Sequence, residues 1–436
     1  MSKKNELIPE LRFPEFESLG NWKSEPISKL GETVNGLSGK KGADFGNGKP
    51  YVQYKQVFDE SYIDFSECEK VDIKKDENQN KLQKGDILFT TSSETPNEVG
   101  FASVIINEPE EDTYLNSFCF TLRPFDLEKV NPSFSRYLFH SPIYRKSVSA
   151  IAQGSTRFNL SKEAFLKLKV SLPQLHEQQK IASCLSSLDE LIAAHNEKLE
   201  ALKIHKKGLL QKLFPQKGGK VPEYRFSEFD VDGEWIERKL GNEVTYFKGF
   251  AFRSQDYTSN GRRVVRVSDM GFDYVKNEEK AIYIKEDDAV QHEKWKLVKD
   301  DLIITTVGSK PPVYDSMVAR TIVVQDKDSG SLLNQNAVCL RAKNIKQTFF
   351  NYLFKRREYI NFIQSIIRGN ANQGSITLEN LFRFKICIPV SKIEQQKIAS
   401  CFLDVDELIT AQRKKIEQLQ QHKNGLMRGL FPKIED

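Results

Sequence analysis

Glu177-Gln-Gln-Lys-Ile-Ala-Ser-Cys184 returns letter for letter as Glu394-Gln-Gln-Lys-Ile-Ala-Ser-Cys401, 217 positions further along the chain (394 minus 177). Chance does not produce eight identical consecutive residues whose match continues downstream. Asp189-Glu-Leu-Ile192 recurs as Asp406-Glu-Leu-Ile409, and Leu213-Phe-Pro215 as Leu430-Phe-Pro432. No proline interrupts His176 to Phe214, and apolar residues recur there at spacings of four and three: Ile181, Leu185, Leu188, Ile192, Leu199, Leu202, Leu209 and Leu213. His195 and Lys206 fill the two gaps. The second copy reads Ile398, Phe402, Val405, Ile409, Ile416, Leu419, Leu426 and Leu430, with Gln412 and Lys423 in the same gaps. This period, sustained over more than four heptads, predicts two long coiled-coil helices. At 1.5 Å per residue, a helix of about 38 residues is roughly 57 Å long. A line of apolar side chains on such a rod needs a partner. The other copy, paired antiparallel, supplies one and would give a two-helix spacer with a globe at each end; pairing with a second chain is the alternative. His195 and Gln412 are either buried polar residues that fix register or the solvated edge of the stripe.

Working outward, the repeat extends upstream. Pro9-Glu-Leu-Arg-Phe-Pro-Glu-Phe16 with Gly20-Asn-Trp22 returns as Pro222-Glu-Tyr-Arg-Phe-Ser-Glu-Phe229 with Gly233-Glu-Trp235. Leu82-Gln-Lys-Gly-Asp-Ile-Leu-Phe-Thr-Thr91 echoes Leu297-Val-Lys-Asp-Asp-Leu-Ile-Ile-Thr-Thr306, and Gln153-Gly-Ser155 reads like Gln373-Gly-Ser375. Short β-branched and aromatic runs separated by Gly, Asn and Pro predict a mixed sheet over 28–125 and 240–342. Residues near 133–150 and 347–367 read as helix. A last strand near 168–170 or 384–386 runs into Pro173 or Pro389, which separates globe from long helix. The fold class is therefore α+β: two tandem globular domains, 1–172 and 216–388, and two spacer helices, 173–215 and 389–436, related by an approximate twofold. Trp22, Trp235, Phe13 and Phe226 read as packing anchors, and Cys184 and Cys401 as small buried hydrophobes beside the stripe.

Composition narrows the class. The 436 residues suit two domains, and 65 Lys+Arg against 60 Asp+Glu give a net charge of +5, compatible with nucleic acid without demanding it. No apolar run approaches the roughly 18–20 residues of a membrane span, and Met1–Phe16 has no apolar stretch that could serve as a signal peptide, so a cytoplasmic protein without membrane contact is expected. The six cysteines form no C-x-x-C pair and the six histidines no metal-ligand spacing, which predicts a reduced, metal-free chain. Neither a P-loop nor an N-P-P-[FY] methyltransferase motif is present. Lys310-Pro-Pro-Val-Tyr314 lacks the leading Asn or Asp, and Phe45-Gly-Asn-Gly48 is a lone glycine turn. No catalytic residue is predicted.

The duplicated P-E-[LY]-R-F-x-E-F opening, the K-x-D segment, Q-G-S and E-Q-Q-K-I-A with its long helix together resemble the specificity subunit of type I restriction–modification systems, over nearly the whole chain. The resemblance implies that each globe is a target-recognition domain reading one half of a bipartite double-stranded DNA target. The helices would set the half-site spacing and dock two methyltransferase subunits, which restriction/translocase subunits then join. S-adenosylmethionine, ATP and Mg are expected in those partners, and no cofactor in this chain. Divergent globes with nearly identical helices fit: the half-sites differ, and the helices meet the same partner twice.

DNA contacts call for Lys or Arg at phosphates and Arg, Asn, Gln, Ser or Thr at base edges. In the first module the candidates are Lys40 and Lys41, then Thr90, Thr91, Ser92 and Ser93, then Gln153, Ser155, Thr156, Arg157 and Asn159. In the second they are Arg253, Arg262, Arg263 and Arg266, then Thr305, Thr306, Ser309 and Lys310, then Arg368, Asn370, Asn372 and Gln373. A two-headed scaffold binding proteins or glycans through its globes is the competing reading.

Overall fold

Both proline-free stretches form single 38-residue helices in the computed structural model, α1 (Leu175–Lys212) and α2 (Lys392–Gly429). The residues described are 7–271, 274–276, 280–310, 318–369 and 373–433. The chain packs as two units, and each long helix is divided between them. The first unit is Met1–Glu197 with Arg413–Asp436, and the second is Lys198–Gln412.

In the first unit, an antiparallel sheet orders Gly31–Asn35, Cys119–Pro124, Ile87–Thr90 and Ala102–Val104. A mixed three-stranded sheet orders Glu69–Val71, Phe45–Val52 and Tyr114–Leu115. The central strand Ile87–Thr90 is buried at every residue, which explains its unbroken apolar run. Phe89, Phe120, Phe134 and Phe165 form the heart of the core, and Ile181 and Leu185 of α1 join it together with Met427, Leu430 and Phe431 from the end of α2 and just beyond. The second unit repeats this plan. Val244–Lys248, Ala337–Ala342, Leu302–Thr305 and Thr321–Val323 make its four-stranded sheet, and Ile398 and Phe402 of α2 share its core with Leu213 and Phe214. Within each unit, then, the start of one long helix packs with the end of the other, as antiparallel pairing requires.

The stripes behave as periodicity demands. Ile181, Leu185, Leu188, Leu199, Leu213, Ile398, Phe402, Val405, Ile409, Ile416, Leu419 and Leu430 are buried, and Ile192, Leu202, Leu209 and Leu426 are half-buried. One chain covers its own stripes. Gln412 is buried and His195 half-buried, which favours the buried-polar reading for Gln412. The second gap is filled by charge: Lys206 donates to Asp406 at 2.5 Å in the second unit, and Lys423 pairs with Asp189 in the first. Tyr137 and Tyr352 hydroxyls donate to the same two carboxylates at 2.8 and 2.9 Å. These reciprocal pairs specify register, because a lysine ammonium on an otherwise apolar seam is costly unless it meets its partner.

The helical stretch expected near 133–150 forms as two helices, Pro132–Leu138 and Pro142–Ala150. Ser141 precedes proline, is extended (φ −64°, ψ 147°), and caps the second helix. The stretch 347–367 likewise divides into Gln347–Leu353 and Arg357–Ile366. No proline forces that break; Arg356 is extended there, with its guanidinium donating to the Pro215 carbonyl at 2.6 Å.

The K-x-D echo is an arginine pair to a buried aspartate, made twice. Arg123 donates bidentately to Asp86 at 2.8 and 2.7 Å, and Arg341 to Asp301 at 2.7 and 2.7 Å. The residue before each aspartate is left-handed, Gly85 at φ 89° and Asp300 at φ 68°. Glycine meets that geometry without steric cost and aspartate does not. Burial also holds the Asp300 carboxyl above the usual carboxylate range. Asp300→Gly is expected to raise the stability of the second unit by about 0.5–1 kcal/mol, the left-handed penalty relieved less the added chain entropy. A lower midpoint in thermal or urea melting would show that the Asp300 side chain carries a stabilising role.

Candidate nucleic-acid interface

Two sequence-distant candidate groups meet in each unit. In the first, Ser92–Ser93 pairs antiparallel with Phe158–Asn159, joining the Thr-Thr-Ser-Ser segment to the 153–159 loop. In the second, Val307–Ser309 pairs antiparallel with Gln373–Ser375, joining the Thr-Thr segment to the loop that opens at Arg368. Each loop is a hairpin closed by a bridge, Gln153 to Asn159 and Arg368 to Ser375.

The hairpins correct the alignment of Gln153-Gly-Ser155 with Gln373-Gly-Ser375. Gln153 lies on the outgoing arm and Gln373 on the returning one, because five positions of sequence separate the bridged pair Gln153 and Asn159 and six separate Arg368 and Ser375. Pairing with the neighbouring strand gives the true correspondence. Asn159 faces Ser92 and Ser375 faces Val307, each partner standing directly after a Thr-Thr pair. The next residue confirms it, since Leu160 N–H donates to the Thr91 carbonyl at 2.8 Å and Ile376 N–H to that of Thr306 at 3.1 Å. Gln153 therefore matches Arg368, Arg157 matches Gln373, and Asn159 matches Ser375. Both outgoing arms turn on glycine. Gly154 has φ 140° and Gly369 φ 127°, and a Cβ would stand 2.0 Å from the Arg157 carbonyl oxygen or 2.4 Å from that of Gln373.

The remaining candidates divide into committed and exposed groups. Thr90 and Thr305 are buried, and their hydroxyls accept from the N–H of Phe101 and Arg320, both at 3.1 Å. The Thr91 hydroxyl donates to the Phe118 carbonyl at 2.7 Å, and Thr306 N–H donates to the Asn336 carbonyl at 2.9 Å. Ser93 donates to Glu98 at 2.8 Å. Ser92 is held on both sides, its carbonyl accepting from Tyr54 at 2.6 Å and its hydroxyl from Arg157 at 3.2 Å. Lys40 is ion-paired with Glu77 and almost covered, whereas Lys41 is exposed. In the second unit Arg262 pairs with Glu286 and Glu293, Arg263 with the buried Asp328, and Arg266 with Asp269. Their charge is matched inside the fold, so they add little to a phosphate-binding surface. Arg253 is exposed. Lys310 donates to the Gly369 carbonyl at 2.5 Å and steadies the hairpin; Ser309 is half-buried beside it and faces Gln373 in the strand pairing. Gln153, Ser155, Thr156, Arg157, Asn159, Arg368 and Gln373 are all exposed. Asn370 and Asn372 lie outside the described residues. In the second unit the hairpin borders an open cleft of about 860 Å³ lined by Ser268, Lys276, Thr305, Ser309, Arg320 and Gln373.

The most duplicated chemistry is a clamp that sequence reading divided between a packing anchor and a docking helix. Arg12 donates to Glu177 through Nε at 2.9 Å and an NH2 group at 2.7 Å, and Trp22 Nε1–H reaches the same carboxylate at 3.2 Å. Arg225, Glu394 and Trp235 repeat this at 2.8, 2.8 and 3.2 Å. Gln178 and Gln395, the next residues, bind the carbonyls of Pro173 and Pro389 and the N–H groups of Asn131 and Lys346. The one available signal was the joint recurrence of R-F-x-E-F, G-x-W and E-Q-Q in both copies.

Among the described residues no group of three or more His, Cys, Asp or Glu is placed to hold a metal, and no helix is long and apolar enough to cross a membrane. All six cysteines are free thiols. Burial pushes Cys68 up to about 11 and Cys119 and Cys339 higher still, so these three remain unreactive thiols at neutral pH.

Comparison with known proteins points one way. The sequence family described as type I restriction modification DNA specificity domain matches residues 20–203 and 232–421. Similar proteins include the putative type I restriction enzyme MjaX specificity subunit of Methanocaldococcus jannaschii, 27% identical over 94% of this chain and 93% of that one. The MjaVIII specificity subunit of the same organism is 26% identical over 68% and 69%, and the StySPI specificity subunit of Salmonella potsdam 22% identical over 86% and 80%. Among solved structures, the S subunit of a type I restriction–modification system from M. genitalium has the same fold, at a TM-score of 0.55 and 15% identity over 98% of this chain and all of that one. A chain from a study of complex assembly and conformational transition of the type I R-M system gives 0.57 and 16% over 94% and 97%.

Proposed function

Because the chain belongs to the type I restriction modification DNA specificity family, we propose that each of its two units reads one half of a bipartite, asymmetric double-stranded DNA target. The chain is a specificity subunit that contributes sequence recognition and no catalysis. Its recognition domains are 1–172 and 216–388, and its helices, 173–215 and 389–436, set the gap between half-sites and dock two methyltransferase subunits. Those subunits hold S-adenosylmethionine, and restriction/translocase subunits that use ATP and Mg join them, all in the cytoplasm. One observation carries the reading: the units share a scaffold down to individual hydrogen bonds, yet present different polar side chains at matching exposed positions. A scaffold that bound two copies of one partner would be expected to present the same polar side chains at those positions.

The test is a salt series on the full chain with its methyltransferase. Six to ten phosphate contacts predict a loss of affinity of roughly 10³–10⁵-fold between about 50 and 200 mM salt. Mapping methylated sites should return one bipartite sequence with a constant gap. An affinity flat in salt would overturn the DNA reading and leave the protein- or glycan-binding scaffold.

A further inference from the structure

We infer that positions 153/368, 157/373 and 159/375, on the bridged arms that pair beside Ser92 and Val307, read bases and determine which bases each unit accepts. This rests on the DNA reading proposed above and adds the residues that would perform it.

Elimination narrows the candidates first. The Thr90 and Thr305 hydroxyls are buried in backbone contacts, and Arg262, Arg263 and Arg266 are matched by carboxylates of their own unit. The hairpin positions differ on both counts. All six residues are exposed. Among the described residues, the Arg157 side chain makes one hydrogen bond, from Nε to the Ser92 hydroxyl at 3.2 Å. That contact orients the guanidinium and leaves its terminal N–H groups for a bidentate partner. The ring of Phe118, itself exposed, lies 5.9 Å from the guanidinium carbon.

The chemistry at these positions is selective. The pairs are Gln and Arg at 153/368, Arg and Gln at 157/373, and Asn and Ser at 159/375. Arg pairs bidentately with guanine O6 and N7, and Gln or Asn with adenine N6 and N7, in the major groove. A two-stranded ribbon fits that groove. The backbone beneath is held alike in both units by the glycine turns and the Leu160 and Ile376 hydrogen bonds. Constant scaffold with variable donors and acceptors is how one architecture reads two different half-sites.

The experiment uses the full chain co-expressed with its methyltransferase and maps methylated sites for the wild type, Arg157→Gln and Gln373→Arg. Each variant is expected to change the accepted base at one position of one half-site, with the original base losing roughly 5- to 150-fold in preference. The other half-site and the gap should stay as they were. Asn159→Ser, whose side-chain amide makes only a 3.4 Å contact with the Arg157 carbonyl, is the second variant for the first unit should Arg157→Gln lower the melting temperature. If the wild type methylates a bipartite sequence and folded variants methylate the same one, the hairpin assignment is overturned and the DNA reading stands. If the wild type shows no sequence preference, both fall.

Discussion

Glu177→Ala is expected to destabilise the first unit by about 3–5 kcal/mol, the cost of breaking a buried ion pair from one side. Glu177 is 1% exposed and its partner Arg12 7%. The carboxylate serves three donors at once, two from Arg12 and one from Trp22. Its removal leaves a guanidinium charge held only by the Leu19 and Gly20 carbonyls, and a buried indole N–H with no acceptor. Glu177→Gln should cost less, since the amide oxygen can still accept from Trp22. The double variant Arg12→Leu with Glu177→Leu should recover part of the loss, because it removes the stranded charge, with the indole N–H still unpartnered. Glu394→Ala is the internal control, with the same geometry around Arg225 and Trp235. Hydrogen exchange resolved by peptide would follow the two units separately. A loss below about 0.5 kcal/mol, the range of ordinary surface changes, would show that the clamp is held together by the packing around it and contributes little itself.

That clamp shows how much of the fold the sequence disclosed. The repeat, the two long helices and their stripes followed from residue identity and a period of seven, since both signals are local and need no knowledge of tertiary contacts. The identity of E-Q-Q-K-I-A was read as the mark of a shared external partner. In the structure Glu177, Gln178, Ile181 and Ala182 are all spent internally, so the fold alone requires most of that motif. Spacing could not reveal this, because Arg12 and Glu177 are 165 residues apart. The Asp86–Arg123 pair was invisible for the same reason, and so was the use of Lys206 and Lys423 on the stripe, which read as interruptions until Asp406 and Asp189 stood opposite. The candidate site was legible as groups of residues, and the two copies were misaligned in detail. Q-G-S occurs in both copies, but a one-residue difference in hairpin length places the two glutamines on opposite arms. Only the pairing with the strands after Thr91 and Thr306 assigns Arg157 to Gln373.

Phe431→Ala is expected to cost the first unit about 3–5 kcal/mol, the usual price of deleting a fully buried phenylalanine. The ring is 2% exposed. It stacks on Phe134 at a centroid distance of 5.6 Å and meets Trp22 edge-on at 6.0 Å. Leu-Phe-Pro recurs because this end is used twice: Phe214 stands at 5.9 Å from Trp235 and 5.4 Å from Phe349 in the second unit. The proline after each phenylalanine prevents the helix from continuing. The backbone then holds the end in place, with Leu11 N–H donating to the Gly429 carbonyl at 2.8 Å and Tyr224 N–H to that of Lys212 at 2.9 Å. A helix that begins in one unit thus completes the core of the other. Phe431→Ala should release exchange protection in 7–197 and 413–433 first, and Phe214→Ala in 198–412 first. Phe431→Leu should fall between wild type and alanine, since it refills part of the volume but loses both ring contacts. Were Phe431→Ala to weaken protection in 198–412 before the first unit, the α2 end would not be the element that closes the first core.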